Sequence, residues 1–216
     1  MAVCLQERDV AAMLRVAAAR IGENCECLSR LDAATGDGDH GSTMNKVAQA
    51  IVASLAETGS ARALLEAVGW SVMSVDGGSA SPLLGSFFMG MAEGTPEVDP
   101  LNGAALAAAF EAGLAKFRAQ TPAQVGDKTM LDALVPAIEA LRAAAEQDLA
   151  PMLAAAAEAA AKGAESTKTL QARFGRARNL GPRSIGWADP GATSIALLFA
   201  GFRDAVAADE RETNHG

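Results

Sequence analysis

Alanine runs punctuated by Leu, Val and Met at three- and four-residue intervals, as in VAAMLRVAAARI, ALAAAFEAGLAKF and LDALVPAIEALRAAA, constrain this chain more than any other feature. That period lays apolar side chains along one face of a helix, and alanine is the strongest helix former. The competing architecture finds no support. There is no tyrosine, β-branched residues are scattered, and no period-two run stands between turn residues. The fold class is therefore predicted as all-α. Gly, Pro and small polar residues divide the chain into helices near 5–21, 24–33, 42–57, 61–75, 81–93, 101–119, 129–145 and 150–169, with a last one at 191–208. Pro136 and Pro151 fall inside or at the start of these patterns, where proline kinks a helix or occupies its first turn.

Half of the 216 residues are hydrophobic, enough to close one core, so a single domain over 1–216 is expected. Eighteen Lys and Arg against 26 Asp and Glu leave a net charge of −8, which repels a phosphate backbone or an anionic bilayer. Neither nucleic acid nor membrane is expected as a partner. No uninterrupted apolar run reaches the ~18 residues of a membrane span, and MAVCLQERDVAAMLRV carries charge where a secretory signal is apolar, so a cytoplasmic location is expected. Cys4, Cys25 and Cys27 are odd in number in a chain too large to need disulfides, so thiols are expected. Cys25 and Cys27 form a CxC pair, but His40 and His215 are the only histidines and no second cysteine pair completes a zinc set. The tail DERETNHG reads as a frayed end without a role.

Four segments break the helical texture: 32–43, 76–82, 126–130 and 171–193. Each sets glycine beside charged or hydroxyl residues at a helix boundary, where ordinary bundle connections are short and bland. The first, LDAATGDGDHGSTM, places Asp32, Asp37 and Asp39 within eight positions. Asp37 and Asp39 project to one side of an extended loop, and Asp32 can fold back toward them. Two carboxylates about 4 Å apart repel by roughly 4 kcal/mol at an effective dielectric near 20, so a convergent trio calls for a cation. Carboxylate oxygens without a thiolate or imidazole cage favour Mg²⁺ or Ca²⁺, and Mg²⁺ is commonly shared with substrate phosphates. Otherwise the stretch is a solvated acidic turn.

GDGDHG formally matches GxGxxG, but no buried strand precedes it and its aspartates would repel a bare pyrophosphate. An EF-hand starting at Asp37 would need its bidentate glutamate where Ala48 stands. No GxxxxGK[ST] occurs, which excludes a P-loop. His40 can contact a phosphate, orient a carboxylate, or serve as a plain hydrogen-bonding group. Small residues precede three predicted helices: Gly41, Ser42 and Thr43; Gly77, Gly78 and Ser79; and Gly191, Ala192 and Thr193 after Asp189 and Pro190. Such helix ends offer amide donors and a positive dipole to an anion, or are simply capped by their own hydroxyls. Lys162, Lys168, Arg173, Arg176, Arg178 and Arg183 gather positive charge, and some of them are expected to meet phosphate.

Taken together, LDAATGDGDHGSTMN at 31–45, DGGSASPLLGSFF at 76–88, GDKTMLDAL at 126–134 and QARFGRARNLGPRSIGWADPGATS at 171–194 resemble the L subunits of dihydroxyacetone kinases, in the family's order and across most of the chain. The resemblance implies a barrel of about eight antiparallel helices with ADP or ATP at one end. It implies two Mg²⁺ ions on Asp32, Asp37 and Asp39, and phosphates seated on His40, Gly41, Ser42 and Thr43 and on the turn Gly78, Ser79 and Ala80. Gly126, Thr129 and Met130 would lie near the nucleoside, with Arg176 and Asp189, Pro190 and Gly191 as further nucleotide contacts. Asp32, Asp37, Asp39 and Arg176 would form the catalytic set.

The same resemblance implies a separate K-type subunit that holds dihydroxyacetone or a related ketose, because the L subunit has no sugar site. It leaves the donor open between a phosphoenolpyruvate-dependent relay, served by a phosphocarrier protein, and direct use of ATP. Two positions depart from the family's pattern: Ala80 stands where GGxSG has its serine, and Thr43 where asparagine is frequent. A noncatalytic nucleotide-binding homologue is the remaining alternative.

Overall fold

Helix follows helix along the chain: α1 (Glu7–Glu23), α2 (Cys25–Thr35), α3 (His40–Ala53), α4 (Ala61–Met73), α5 (Ala80–Gly94), α6 (Gly103–Arg118), α7 (Leu131–Ala143), α8 (Leu149–Ser166) and α9 (Pro190–Thr213), joined by short loops apart from the longer connections 119–130 and 167–189. This computed structural model describes residues 4–56, 58–98 and 100–213, without the side chains of 209–213. His215 and the end of the acidic tail lie outside the described residues. Among the described residues there is no strand, only one antiparallel bridge between Leu5 and Leu101. The all-α expectation is met.

The helices close a ring. α4 packs on α5, α5 on α6, α6 on α7, α7 on α8, α8 on α9 and α9 on α1, while α1 and α3 both reach α4 and complete the circuit. Phe87, Phe88, Phe110, Phe199 and Phe202 fill its centre, with ring centroids 5.4–5.9 Å apart in tilted and edge-on pairs. Each such pair adds about 0.5–1.5 kcal/mol beyond the area it buries. Small residues let the backbones approach around this core. A Cβ at Gly201 of α9 would stand 2.3 Å from Ala17 Cα of α1, and one at Gly163 of α8 would stand 2.1 Å from the Asp132 carbonyl of α7.

Several helix starts follow from single side chains. Ser60 accepts from the Ala63 amide at the head of α4, and Asn102 accepts from the Ala105 amide at the head of α6. Pro136 is accommodated inside α7. Two expected boundaries are wrong in an informative way. Gly41–Thr43 and Gly191–Thr193 do not precede their helices but form the first turns of α3 and α9, which begin at His40 and Pro190. The stretch 171–193 is also less irregular than expected, because Arg176–Ser184 winds as 3₁₀ turns on either side of a kink at Gly181.

One further expectation needs qualification. Pro190–Ala208 of α9 has a mean hydropathy of 1.2 and is long and apolar enough to cross a membrane, yet half of it is buried inside the bundle. Its neighbours α1, α2, α7 and α8 account for that composition, since a helix packed on many sides is apolar on many sides.

Candidate functional site

The starts of α3, α5, α7 and α9 and the ends of α2 and α6 meet at one cavity of about 660 Å³. Successive helices run up and down the ring, so every second N-terminus lands at the same pole. Its walls carry Asp32 and Thr35 from α2, Asp39, His40 and Thr43 at the head of α3, and Gly77–Ala80 with Pro82 and Leu83 around the head of α5. Lys128–Leu131, Phe117, Thr121 and Phe174–Ala177 close the other sides, and Asp189–Gly191 complete them. The size falls in the range that encloses a cofactor-sized ligand, and the pole carries the positive ends of four helix dipoles.

Not all four helix ends are equally open. At α9, Asp189 occupies the cap position and its carboxylate accepts from the Ala192 amide at 2.7 Å. At α7, Asp132 accepts from the amides of Gly126 at 2.6 Å and Thr129 at 2.7 Å. At α3 and α5 neither cap residue, Asp39 nor Ser79, closes its helix with its side chain. An incoming anion therefore finds the head of α5 open and that of α3 open in part, since the His40 amide already serves Asp32, while at α7 the Leu131 amide serves Thr129 Oγ1 and at α9 the Ala192 amide serves Asp189.

One carboxylate oxygen each of Asp32, Asp37 and Asp39 lies within 4.8 Å of the others. Asp32 accepts from the His40 amide at 3.1 Å, which holds it against the first turn of α3. Arg176 donates to Asp37 and, at 3.3 Å, to Asp39. Hydrogen bonding to Asp39, with Asp37 adding to it, raises the guanidinium above its ordinary pKa. An oxygen-only donor set of this kind fits a hard divalent cation such as Mg²⁺, and its spread over a loop and two helix ends leaves positions for other ligands.

His40 ties α3 to α9 through a 2.8 Å contact from Nε2 to Ser194 Oγ. Burial pushes its pKa down, against the opposing pull of Asp32 and Asp39. Burial pushes Asp189 up to about 7, against the amides of Ala192 and Gly191 and the charge of Lys128.

The glycine turn before α5 discriminates its two serines. Ser81 is fully buried and donates to the Gly77 carbonyl at 3.1 Å, so its hydroxyl is spent inside the turn. Ser79 is exposed on the cavity wall, beside Ala80. Gly78 has φ +48, and a Cβ at Gly77 would meet the Thr43 methyl at 2.6 Å, so bare backbone is what lets this turn touch α3.

Three expected nucleotide contacts, Gly41, Ser42 and Gly126, are absent from the cavity wall. Gly41 is buried against α2, where a Cβ would lie 2.0 Å from the Cys25 carbonyl, so its lack of a side chain serves packing. Ser42 points to solvent. Gly126 has φ +97 and gives its amide to Asp132. Thr129, Met130, Pro190 and Gly191 do line the cavity. Of the basic group, only Arg176 reaches the aspartates. Lys162 pairs with Glu158, Lys168 with Glu165, and Arg173 with Asp127. Lys128 and Asp132 had not been singled out, although both stand in GDKTMLDAL; each reads locally as an ordinary loop or helix-start residue.

A family model described as DAK2 domain matches residues 34–204. The chain is 40% identical over 178 residues to the "PEP-dependent dihydroxyacetone kinase, ADP-binding subunit DhaL" of Escherichia coli (strain K12), covering 81% of this chain and 85% of that one. It is 35% identical to the L-erythrulose 1-kinase of Mycolicibacterium smegmatis, over 89% of this chain and 34% of that protein. The crystal structure of the dihydroxyacetone kinase from C. freundii in complex with AMP-PNP and Mg²⁺ superposes with a TM-score of 0.71 at 30% identity, over 91% of this chain and 33% of that one. The chain thus spans about a third of the length of these last two proteins.

Proposed function

The chain belongs to the DAK2-domain family of dihydroxyacetone kinase L-type subunits, and from that premise we propose that it binds ADP or ATP with Mg²⁺ and passes a phosphoryl group to a small ketose. The ketose, dihydroxyacetone or a relative, would be held by a separate K-type subunit. The observation that carries this reading is a trio of converging carboxylates, two of which, Asp32 and Asp39, stand on the wall of a cavity that also receives two helix N-termini left open by their cap side chains. We read the whole chain as one such nucleotide-binding domain. Its setting would be cytoplasmic, apart from membrane and nucleic acid.

Asp32, Asp37 and Asp39 would hold Mg²⁺, two ions in the family's arrangement, and bound Mg²⁺ supplies charge that screens a polyphosphate. The amides at the heads of α3 and α5 would fix the phosphate oxygens, with Ser79 supplying the hydroxyl that Ala80 lacks. Arg176 would turn from the aspartates to the terminal phosphoryl group. Thr129 and Met130 would border the nucleoside. Catalysis in this arrangement is positioning and charge stabilisation, which is most of what phosphoryl transfer asks of a protein.

The phosphoenolpyruvate dependence in the name of the Escherichia coli relative favours a relay, in which a phosphocarrier protein would recharge bound ADP. The second reading, direct use of ATP, draws on the erythrulose kinase relative. Copurified nucleotide and metal should be identified first, then exchange against ATP followed. Retained ADP with slow exchange supports the relay, and rapid exchange supports the direct kinase. Mixing the chain with a K-type subunit, Mg²⁺ and either donor should yield phosphorylated ketose; no product with any donor would leave only a noncatalytic nucleotide binder.

A further inference from the structure

The connection from α8 to α9, residues 167–189, leaves the bundle, carries Phe174–Ala177 along the cavity wall, and returns. Its two ends are pinched together. The Asp189 amide donates to Thr167 Oγ1 at 2.8 Å, and the Gly186 amide donates to the Lys168 carbonyl at 2.7 Å. Lys128 sits at this neck. Its Nζ donates to the Thr167 carbonyl at 2.6 Å, where the strap departs, and to the Trp187 carbonyl, where it comes back.

Lys128 is 3% exposed, and it is the one non-glycine residue among those described whose φ is positive, at +62. A lysine held in that backbone region is strained, and such strain persists where the surroundings demand a particular direction of the side chain. Here the direction is into the neck. Asp189 and Asp132 stand near the ammonium and offset its burial.

We infer that Lys128 is a positioning residue: by clamping both ends of the 167–189 strap it fixes the height at which Arg176 crosses the cavity. Two of its three donors are committed to backbone carbonyls of the strap, and through that clamp it acts on a ligand by way of Arg176. The ligand readout rests on the nucleotide site proposed above, whereas the strap readout does not.

The test compares Lys128→Met, which keeps the stem and removes the donors, with Lys128→Arg, which keeps charge and donors. Hydrogen exchange of the nucleotide-free protein should show strap amides between 170 and 186 exchanging about tenfold faster in Lys128→Met, with the core amides of α1 and α9 unchanged. Titration with MgADP should show an affinity loss of about tenfold, the order seen when a supporting hydrogen-bond partner is removed. Lys128→Arg should recover most of both. In an Arg176→Met background, Lys128→Met should cost nothing further in MgADP affinity.

Additive losses in that background, or unchanged strap exchange, would overturn the inference. Were the wild-type protein to bind no nucleotide, the functional proposal would fall while the exchange comparison still decided the role of Lys128. Should Lys128→Met not fold, Lys128→Gln, too short to span both carbonyls, gives the same comparison.

Discussion

Arg176 donates to Asp37 from 139 positions further along the chain, and through the same nitrogen to Asp39. A single guanidinium thus bridges two of the three clustered carboxylates that the proposal assigns to Mg²⁺. Under that proposal metal and arginine would compete for the same oxygens, and the exposed setting would keep the competition reversible.

Opposite effects on two ligands follow from this pairing. Arg176→Met should strengthen binding of Mg²⁺ alone, because a rival cation is gone, and weaken MgADP by about tenfold, because a phosphate donor is gone. Asp37→Asn should weaken both by a similar factor, and its thermal midpoint should stay within about 2 °C of wild type, since the residue is exposed. Calorimetric titrations with MgCl₂ and with MgADP check the pair; losses of the same sign for both ligands in Arg176→Met would remove the competition.

Ser79 and Ser81 should separate cleanly. Ser79→Ala removes a hydroxyl on the cavity wall and should lower MgADP affinity about tenfold with little change in stability. Ser81→Ala deletes a buried hydrogen bond to Gly77 and should cost about 1 kcal/mol of folding free energy. Urea unfolding and nucleotide titration on both variants read the contrast, and an Ser79→Ala protein with wild-type affinity would return the role to backbone amides alone.

Gly163→Ala should destabilise the bundle by about 1–3 kcal/mol, because its Cβ would press on the Asp132 carbonyl where α8 crosses the head of α7. The disturbance should also reach the site, since Asp132 holds the Gly126 and Thr129 amides. Chemical denaturation gives the first effect, and a weaker MgADP titration gives the second.

Asp189 gives the protein a pH dependence of definite sign. Its carboxyl titrates at about 7 in the folded chain against 3.8 when unperturbed. Between those values the folded state keeps a proton that the unfolded chain releases, so this group's contribution to stability falls as pH rises from about 4 to about 7 and is level above. Asp189→Asn retains an acceptor for the Ala192 amide and should abolish that slope. Urea midpoints from pH 5 to 8 for both proteins measure the difference, and parallel profiles would contradict a buried, protonated Asp189.

The helical texture was legible because alanine-rich amphipathic segments carry their period locally. The trio Asp32, Asp37 and Asp39 was legible for the same reason, as it falls within a span of eight residues. What escaped depends on partners far along the chain. Nothing local distinguishes Arg176 from Arg173, and the family resemblance alone singles it out; one meets Asp37 and the other Asp127. Lys128 reads as a loop lysine until the ends of α8 and α9 are brought to it. Gly41 reads as a bare anion seat until α2 is found 2.0 Å from its missing Cβ. The starts of α3 and α9 lie one or two residues earlier than the sequence suggests, because small residues signal both a helix approach and a helix start.

The up-and-down course of the ring also divides the molecule into a working face and a handle. α7 alone, with 13 residues, carries the chain about 20 Å from the cavity to the turn at 144–148. Gly59, in the turn between α3 and α4 at that same far face, has open space where a side chain would begin. A fluorophore, an affinity tether or a fused reporter attached there should leave ligand traffic at the other face undisturbed.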